Sequence, residues 1–308
     1  MKVIAIVGPT AVGKTALAIE LARKYNGEII SCDSMQIYKR MDIGTAKPCA
    51  EELAMVKHHL INIKEPSQSF SCADYAILAK KAIEDIAKRG KTPIFCGGTG
   101  LYLDSVIEIP SFCDTAKDEN YRKELEDLAK EKGNEDVHSL LKEIDPQSAE
   151  QIHFNNVKRV IRALEIFKCT GVAKSEWDRR SKEVKPPYDA TVLFLCCKDR
   201  EELYRRINNR VDQMMAEGLV YEVRGLYEEG LLDEKYTSSG AIGYKEFLPF
   251  IKGECTVDVS VMELKAATRH YAKRQLTWFN KKKSYHKIYV DETNAIDEAI
   301  KILGDFNG

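Results

Sequence analysis

The sequence of 308 residues has no Cys-x-x-Cys pair, no long apolar run and almost no net charge. Each of these absences removes a class of protein. Nine scattered cysteines, odd in number and with Cys196 and Cys197 adjacent in an apolar stretch, argue against a disulfide framework or a zinc site. They point instead to reduced, mostly buried thiols in the cytoplasm. No segment approaches the roughly 20 apolar residues of a membrane span, and the strand-like start at residue 2 is not a signal peptide. A formal charge of −1 gives no global attraction to nucleic acid, so any such binding has to come from a local patch. His58 and His59 lack a third ligand at metal spacing, which favours packing or polar capping. There is no internal repeat or low-complexity tract. With 44% hydrophobic and 31% charged residues the composition is that of an ordinary soluble globular protein, and 308 residues are enough for one large α/β domain or a core with a smaller companion.

What is present begins at once. Residues 3–7 form an apolar, β-branched run that reads as a strand buried on both faces. Gly8, Pro9, Thr10, Ala11, Val12, Gly13, Lys14 and Thr15 follow with Gly-x-x-x-x-Gly-Lys-Thr spacing. A good helix former comes next. That strand–loop–helix context makes the pattern a phosphate-binding P-loop. Glycines let backbone N–H groups curl around a phosphate, and the helix N-terminus adds its dipole. Lys14 supplies a mobile charge, and the Thr15 hydroxyl can hold Mg²⁺ beside phosphate oxygens. An ordinary glycine-rich turn would not require the Lys-Thr pair.

The first third alternates strand and helix. Strands are expected at 28–32, 59–63 and 92–96, with a short helix at 50–57 and a longer one at 73–89. Ser71 caps the longer helix and Gly90 stops it. Such alternation predicts an α/β fold, a P-loop NTPase-like parallel sheet flanked by helices. Ligands then sit beyond the strand C-termini, where the P-loop, Asp33 and Thr99 should share one cleft. Residues 113–187 change character: they are charged and lack strand signals, with helices at 120–132, 137–144 and 155–169. They read as an all-helical insertion domain within a core of 1–112 plus 188–308. A strand at 190–197 and helices at 200–216, 218–229, 259–278 and 295–303 follow, with a last strand at 285–290. Between them, 238–244 reads as a small-residue turn into another helix.

Several groups carry chemistry. Asp33, at the end of the strand beside the P-loop, can serve as a metal ligand or general base, or cap the next turn. A P-loop ATPase places an acid at the end of a second apolar strand, whereas this chain has Gly97, Gly98 and Thr99 there, which weakens ATP hydrolysis as the activity. From 264 to 287 the chain carries eight Lys or Arg and no acid, with Tyr271, Trp278, Phe279 and Tyr285 interleaved. That mixture suits RNA recognition, although a solvated helix end with core aromatics has the same pattern. Lys158, Arg159 and Arg162 add charge in the insertion. Arg206 and Arg210, four apart on one helix face, can reach the cleft or solvent.

Gly8-Pro-Thr-Ala-Val-Gly-Lys-Thr15, Ser31-Cys-Asp-Ser-Met-Gln-Ile-Tyr38, Met41-Asp-Ile-Gly-Thr-Ala-Lys-Pro48, Gly97-Gly-Thr-Gly-Leu-Tyr102, Arg162-Ala-Leu-Glu165 and Gly240-Ala-Ile-Gly-Tyr244 resemble the tRNA dimethylallyltransferases. The matches run in order over nearly the whole chain. The resemblance implies transfer of a dimethylallyl group from dimethylallyl diphosphate to the exocyclic N6 amine of the adenosine 3′ of the anticodon. Asp33 would be the general base, with Thr99, Lys14 and Arg210 also catalytic, residues 8–15 on the diphosphate and Mg²⁺ on Thr15. The same resemblance puts Asp33, Ser34, Met35, Gln36 and Thr99 against the tRNA. It adds Arg122, Lys158, Arg159 and Arg162 in the insertion, and Gly240, Gly243, Tyr244, Lys245, Arg274 and Trp278 beyond it. The tRNA anticodon stem-loop and dimethylallyl diphosphate are the implied partners, with no membrane and no obligate protein partner beyond a monomer. Lack of a C-terminal zinc-finger spacing favours the bacterial form. The alternatives are prenylation of free adenine nucleotides, a small-molecule P-loop kinase, and a non-catalytic RNA-binding protein.

Overall fold

In the computed structural model, residues 1–108, 118–304 and 306 are described. The chain forms two compact units, Met1–Glu108 with Pro187–Gly308, and Ile109–Pro186. The boundary expected at 112–113 lies outside the described residues.

The larger unit opens with β1 (Lys2–Val7), α1 (Lys14–Lys24), β2 (Gly27–Ser31), α2 (Ala50–Met55), β3 (His58–His59), α3 (Cys72–Lys88), β4 (Thr92–Gly97) and α4 (Gly100–Ile107). The smaller unit contains α5 (Glu119–Lys132), α6 (Asn134–Ile144), α7 (Pro146–Gln151), α8 (Val157–Thr170) and α9 (Lys174–Glu183). The larger unit resumes with β5 (Asp189–Cys196), α10 (Arg200–Ala216), α11 (Leu219–Glu228), α12 (Leu248–Ile251), α13 (Val257–Phe279), β6 (His286–Tyr289) and α14 (Ala295–Leu303). Its sheet is parallel throughout, in the order β3-β2-β4-β1-β5-β6.

Central β1 explains why its sequence is apolar without alternation. Ile4 pairs with Ile94 on one side and Thr191 on the other. Val3, Ala5 and Val7 face a core with Phe95, Phe194 and Phe279, while Ile4 and Ile6 face Leu17, Leu21 and Ile94 on the opposite side. Side-chain alternation thus buries both sets, as a parallel sheet covered by helices requires. All strands end at one edge, and the loops after β1, β2 and β4 emerge there together.

Four expectations need correction. The third strand is two residues long, not five, because Leu60 (φ 62°) and Asn62 (φ 56°) adopt left-handed backbone that breaks an extended run. The turn at 238–244 leads through 3-10 turns at Thr237–Gly240 and Lys245–Phe247 into only a four-residue helix. In the helical unit α7 and α9 were not expected; α7 starts at Pro146 with the Asp145 carboxylate accepting the Ser148 N–H. Among the eight described cysteines, all free, only Cys32 and Cys196 are buried, whereas Cys49 and Cys169 are exposed. Among the described residues, no helix is long and apolar enough to cross a membrane.

The helical unit has its own core of Leu125, Val137, Leu141, Val160, Ile161 and Leu164. At its edge, Arg122 holds the fully buried Glu165 with two 2.8 Å bonds and Arg162 adds a third. With the Asp118 N–H at 3.0 Å, these four bonds compensate a carboxylate taken out of water, whose pKa they hold below the usual range against the cost of burial.

Candidate active site

Backbone geometry builds the phosphate loop. Gly8 passes so close to β5 that a Cβ there would lie 2.2 Å from the Leu195 carbonyl oxygen. Ala11 and Gly13 take left-handed conformations, φ 67° and 86°, that curl the loop into α1. The N–H groups of the first turn of α1 have no intrahelical acceptors. Thr10, Ala11, Gly13, Lys14, Thr15 and Ala16 line a cleft of about 500 Å³. Lys14 Nζ folds back to donate to the Pro9 carbonyl at 2.6 Å. Burial lowers its pKa to about 8; Arg210 pushes the same way, while Cys96 and Asp33 oppose them. Arg210, from α10, faces the same cleft and makes one long bond, 3.4 Å, to the Ala46 carbonyl. Its pKa too is pulled down by burial, with Asp33 opposing. Two cations therefore wait in one partly dry cleft with few anions to satisfy them. Arg206 does not join them, since it is paired with Glu202 at 2.6 Å.

Asp33 enters the cleft immediately after β2. Its Oδ1 accepts the N–H groups of Met35 (2.9 Å) and Gln36 (3.4 Å), so it does cap the following turn. Its Oδ2 takes no hydrogen bond among the described residues and remains open for chemistry. Thr99 Oγ1 accepts the Ser34 N–H at 3.1 Å, which ties the loop after β4 to the Asp33 turn. Met35 and Ser34 line the cleft. Gln36 lines it too, but its amide is committed: Oε1 accepts from Ser31 Oγ, and Nε2 donates to the Thr45 and Ala46 carbonyls. A base contact through that amide would require breaking these bonds.

The loop at 41–48 forms another wall. Glu222 of α11 accepts the N–H groups of Asp42 and Ile43 at 2.9 Å and of Gly44 at 3.1 Å. Its Oε1 also takes the Tyr244 hydroxyl at 2.6 Å. Tyr244 is wholly buried beneath this loop, and Gly44 has no room for a Cβ against its ring. The direct tRNA contact expected of Tyr244 is therefore not available in this conformation. Gly243, at φ 101°, packs against Gly44 and does not line the cleft, whereas Gly240 and Lys245 do.

Helix α13 closes the remaining side with Thr268, Tyr271, Arg274 and Gln275. Trp278 lies one turn beyond, its indole N–H donating to Asp104 at 3.2 Å and its ring leaving no room for a side chain at Gly100. The acid-free basic stretch is less free in space than in sequence. Lys265 pairs with Asp212 at 2.5 Å, Arg269 donates to Asn208 at 2.9 Å, and Lys282 meets Asp104 at 3.0 Å as well as Glu108. Arg274 keeps its guanidinium over the Tyr271 ring, 5.4 Å from its centre. In the helical unit, Arg122 and Arg162 are the partners of Glu165, while Lys158 and Arg159 are exposed. Glu222 and Gln275 carry much of the architecture and neither was anticipated. Glu222 has no motif signal; Gln275 is a polar residue on the buried side of an amphipathic helix, which is the cue that could have found it.

Fold and cleft together define an α/β P-loop protein whose phosphate loop shares its cleft with a carboxylate after β2, not an ATPase acid at the end of β4; β4 lies between β1 and β2, so Asp33 does not end the strand beside the P-loop as expected but one strand further on. A family model described as IPP transferase matches residues 36–282. The tRNA dimethylallyltransferase of Acetivibrio thermocellus is 51% identical over 301 residues, spanning 98% of this chain and 96% of its own. That of Geobacillus thermodenitrificans is 49% identical, over 98% and 94%. The solved full-length tRNA isopentenylpyrophosphate transferase of Bacillus halodurans aligns with a TM-score of 0.71 at 46% identity, covering 99% of this chain and 95% of that one. A eukaryotic dimethylallyltransferase acting on tRNA gives a TM-score of 0.85 at 32% identity, covering 99% and 79%. The chain belongs to the tRNA dimethylallyltransferase family, in its bacterial form, whose reaction carries a dimethylallyl group from its diphosphate to an adenosine of tRNA.

Proposed function

We propose that this chain attaches the dimethylallyl group to the exocyclic N6 amine of the adenosine 3′ of the anticodon, with Asp33 as general base. The observation that carries this reading is the open Oδ2 of Asp33 in the same cleft as the P-loop, Lys14 and Arg210. In the reaction, the N6 nitrogen bonds to C1 of the dimethylallyl group as the C1–O bond to diphosphate breaks. The amine lone pair is delocalised into the ring, so loss of its proton to Asp33 is needed as the bond forms. The P-loop N–H groups, Lys14 and Arg210 stabilise the charge that grows on the departing diphosphate. No water needs activation, in keeping with Gly-Gly-Thr where an ATPase carries an acid. Thr99 acts through Ser34, holding the Asp33 turn.

The oxygen donors in the cleft fit Mg²⁺. Among the described residues there is no cluster of three or more His, Cys, Asp or Glu that could hold a metal, but Mg²⁺ keeps waters and takes phosphate oxygens, so it does not need an all-protein cage. Thr15 would hold the ion, and the ion when bound neutralises diphosphate charge.

Reaching N6 requires the adenosine to leave its stack and enter the cleft. Met35, Ser34 and the Arg274–Tyr271 pair offer apolar, polar and cationic surface to it. Residues 113–187 form the tRNA-gripping domain in this reading, with the exposed Lys158 and Arg159 among its cations.

The test is transfer of labelled dimethylallyl to tRNA and, in parallel, to AMP. Transfer to tRNA is expected, lost by at least about a hundredfold in Asp33→Ala with tRNA binding retained. Equal or better use of AMP, or an unimpaired Asp33→Ala, overturns the proposal.

A further inference from the structure

We propose that Gln275 is a positioning residue that fixes the spacing between the phosphate loop and the turn that carries Asp33. Gln275 projects from α13 and is only 5% exposed. Its Oε1 accepts the Thr10 N–H at 3.0 Å, and its Nε2 donates to the Gly98 carbonyl at 3.0 Å. Only this orientation of the amide is compatible with a donor on one side and an acceptor on the other. Gly98 makes room for it, since a Cβ there would stand 2.0 Å from Nε2.

The connection continues beyond Gly98. Thr99 donates its N–H to the Cys32 carbonyl and accepts the Ser34 N–H, both at 3.1 Å. Cys32 and Ser34 flank Asp33. One amide on α13 thus joins the loop that holds the leaving group to both neighbours of the base. Transfer demands that the diphosphate-bearing carbon, the amine and the base be aligned at once, and a misplacement of about 1 Å can cost about a hundredfold in rate. The same helix face places Tyr271 and Arg274 in the cleft, so α13 sets the position of the reacting groups as well as closing the site. The inference rests on the proposed prenyl transfer.

Gln275→Glu provides the discriminating test because its two protonation states differ in one bond. The neutral carboxyl still accepts from Thr10 N–H and donates its O–H to the Gly98 carbonyl. The carboxylate cannot donate, and it places negative charge against that carbonyl. Burial disfavours the ionised form, so the neutral form should be reached at workable pH. The expected result is a Gln275→Glu kcat near that of wild type at pH about 6, falling relative to wild type by tenfold or more by pH about 8.5. Gln275→Met, which makes neither bond, should be reduced by on the order of tenfold to a hundredfold at every pH, with the KM for tRNA little changed. Thermal melts at each pH accompany the rates. A pH-independent ratio of Gln275→Glu to wild type overturns the inference, as does Gln275→Met within about twofold of wild type. A loss of rate that merely follows loss of folded protein overturns it too. Failure of the wild type to transfer dimethylallyl to tRNA would instead overturn the functional reading.

Discussion

In the proposed reaction Lys14 offers positive charge to a diphosphate from a place where burial and Arg210 both work against that charge. With its pKa near 8, the free protein keeps the lysine proton below that pH and loses it above. A bound diphosphate supplies the missing counter-charge and draws the proton back. Affinity for dimethylallyl diphosphate should therefore weaken as pH rises above about 8, by as much as about tenfold per unit before levelling. Binding near that pH should take up a fraction of a proton. Calorimetry in two buffers of different ionisation enthalpy measures the uptake directly, and Lys14→Met should abolish it. A wild-type affinity that stays flat between pH about 7 and about 9.5 would contradict this account.

At the level of elements, Glu28 shows how the wall carrying Asp33 is fastened. It lies on β2, only 1% exposed, with His59 of β3 at 2.7 Å, Lys91 at 2.9 Å and Arg89 Nη2 at 2.7 Å. Hydrogen bonding from Arg89, the largest influence, with Lys91 and His59, holds its carboxyl well below the ordinary range despite burial. A depressed carboxyl stabilises the fold fully above its unfolded pKa, near 4.5, and that contribution declines progressively as pH falls from there down through its much lower folded pKa. Glu28→Gln should lower unfolding stability by on the order of 1–2 kcal/mol at neutral pH, moderated because Arg89 and Lys91 stand one-third exposed. Urea unfolding at pH about 7 and about 4 measures this, and the difference between variant and wild type should shrink at the lower pH. The local pattern that makes elements is well written in this chain: residues 200–216 and 295–303 were expected as helices, and α10 and α14 have those ends. Long-range pairings are less legible. Nothing near Gly240-Ala-Ile-Gly-Tyr244 announces that Tyr244 will be buried against Glu222, and nothing near Gln36 announces that Ala46 will occupy its amide. Left-handed backbone at Leu60 is set by context and not by residue type, although Asn62 is a residue that tolerates it. Motif spacing located the P-loop and Asp33; Glu222, which holds the loop at 41–48, and Gln275, which bonds Thr10 and Gly98, come from α11 and α13, far along the chain.

For the molecule as a whole, the net charge of −1 means that tRNA must be met by cations that folding has left free. Folding makes that selection. Arg122 and Arg162 are bound to Glu165, and Lys265 and Lys282 are bound to acids within the larger unit. Lys158 and Arg159, on the exposed first turn of α8, have no acidic partner within salt-bridge distance among the described residues. If they meet phosphates, each contact releases counterions and adds roughly 0.7–0.9 to the slope of log affinity against log salt. Reversing both charges in Lys158→Glu/Arg159→Glu should lower that slope by about 1–2 and weaken tRNA binding by at least about tenfold at low salt. Neither residue belongs to the unit that carries the cleft, so binding of dimethylallyl diphosphate should be unchanged. Neither is buried, so the melting temperature should move little. Filter binding across a salt series, with calorimetry of the diphosphate on the same variant, separates the two effects. An unaltered salt slope would remove these residues from the tRNA surface and leave Arg274 and the unpaired lysines of the basic stretch to supply it.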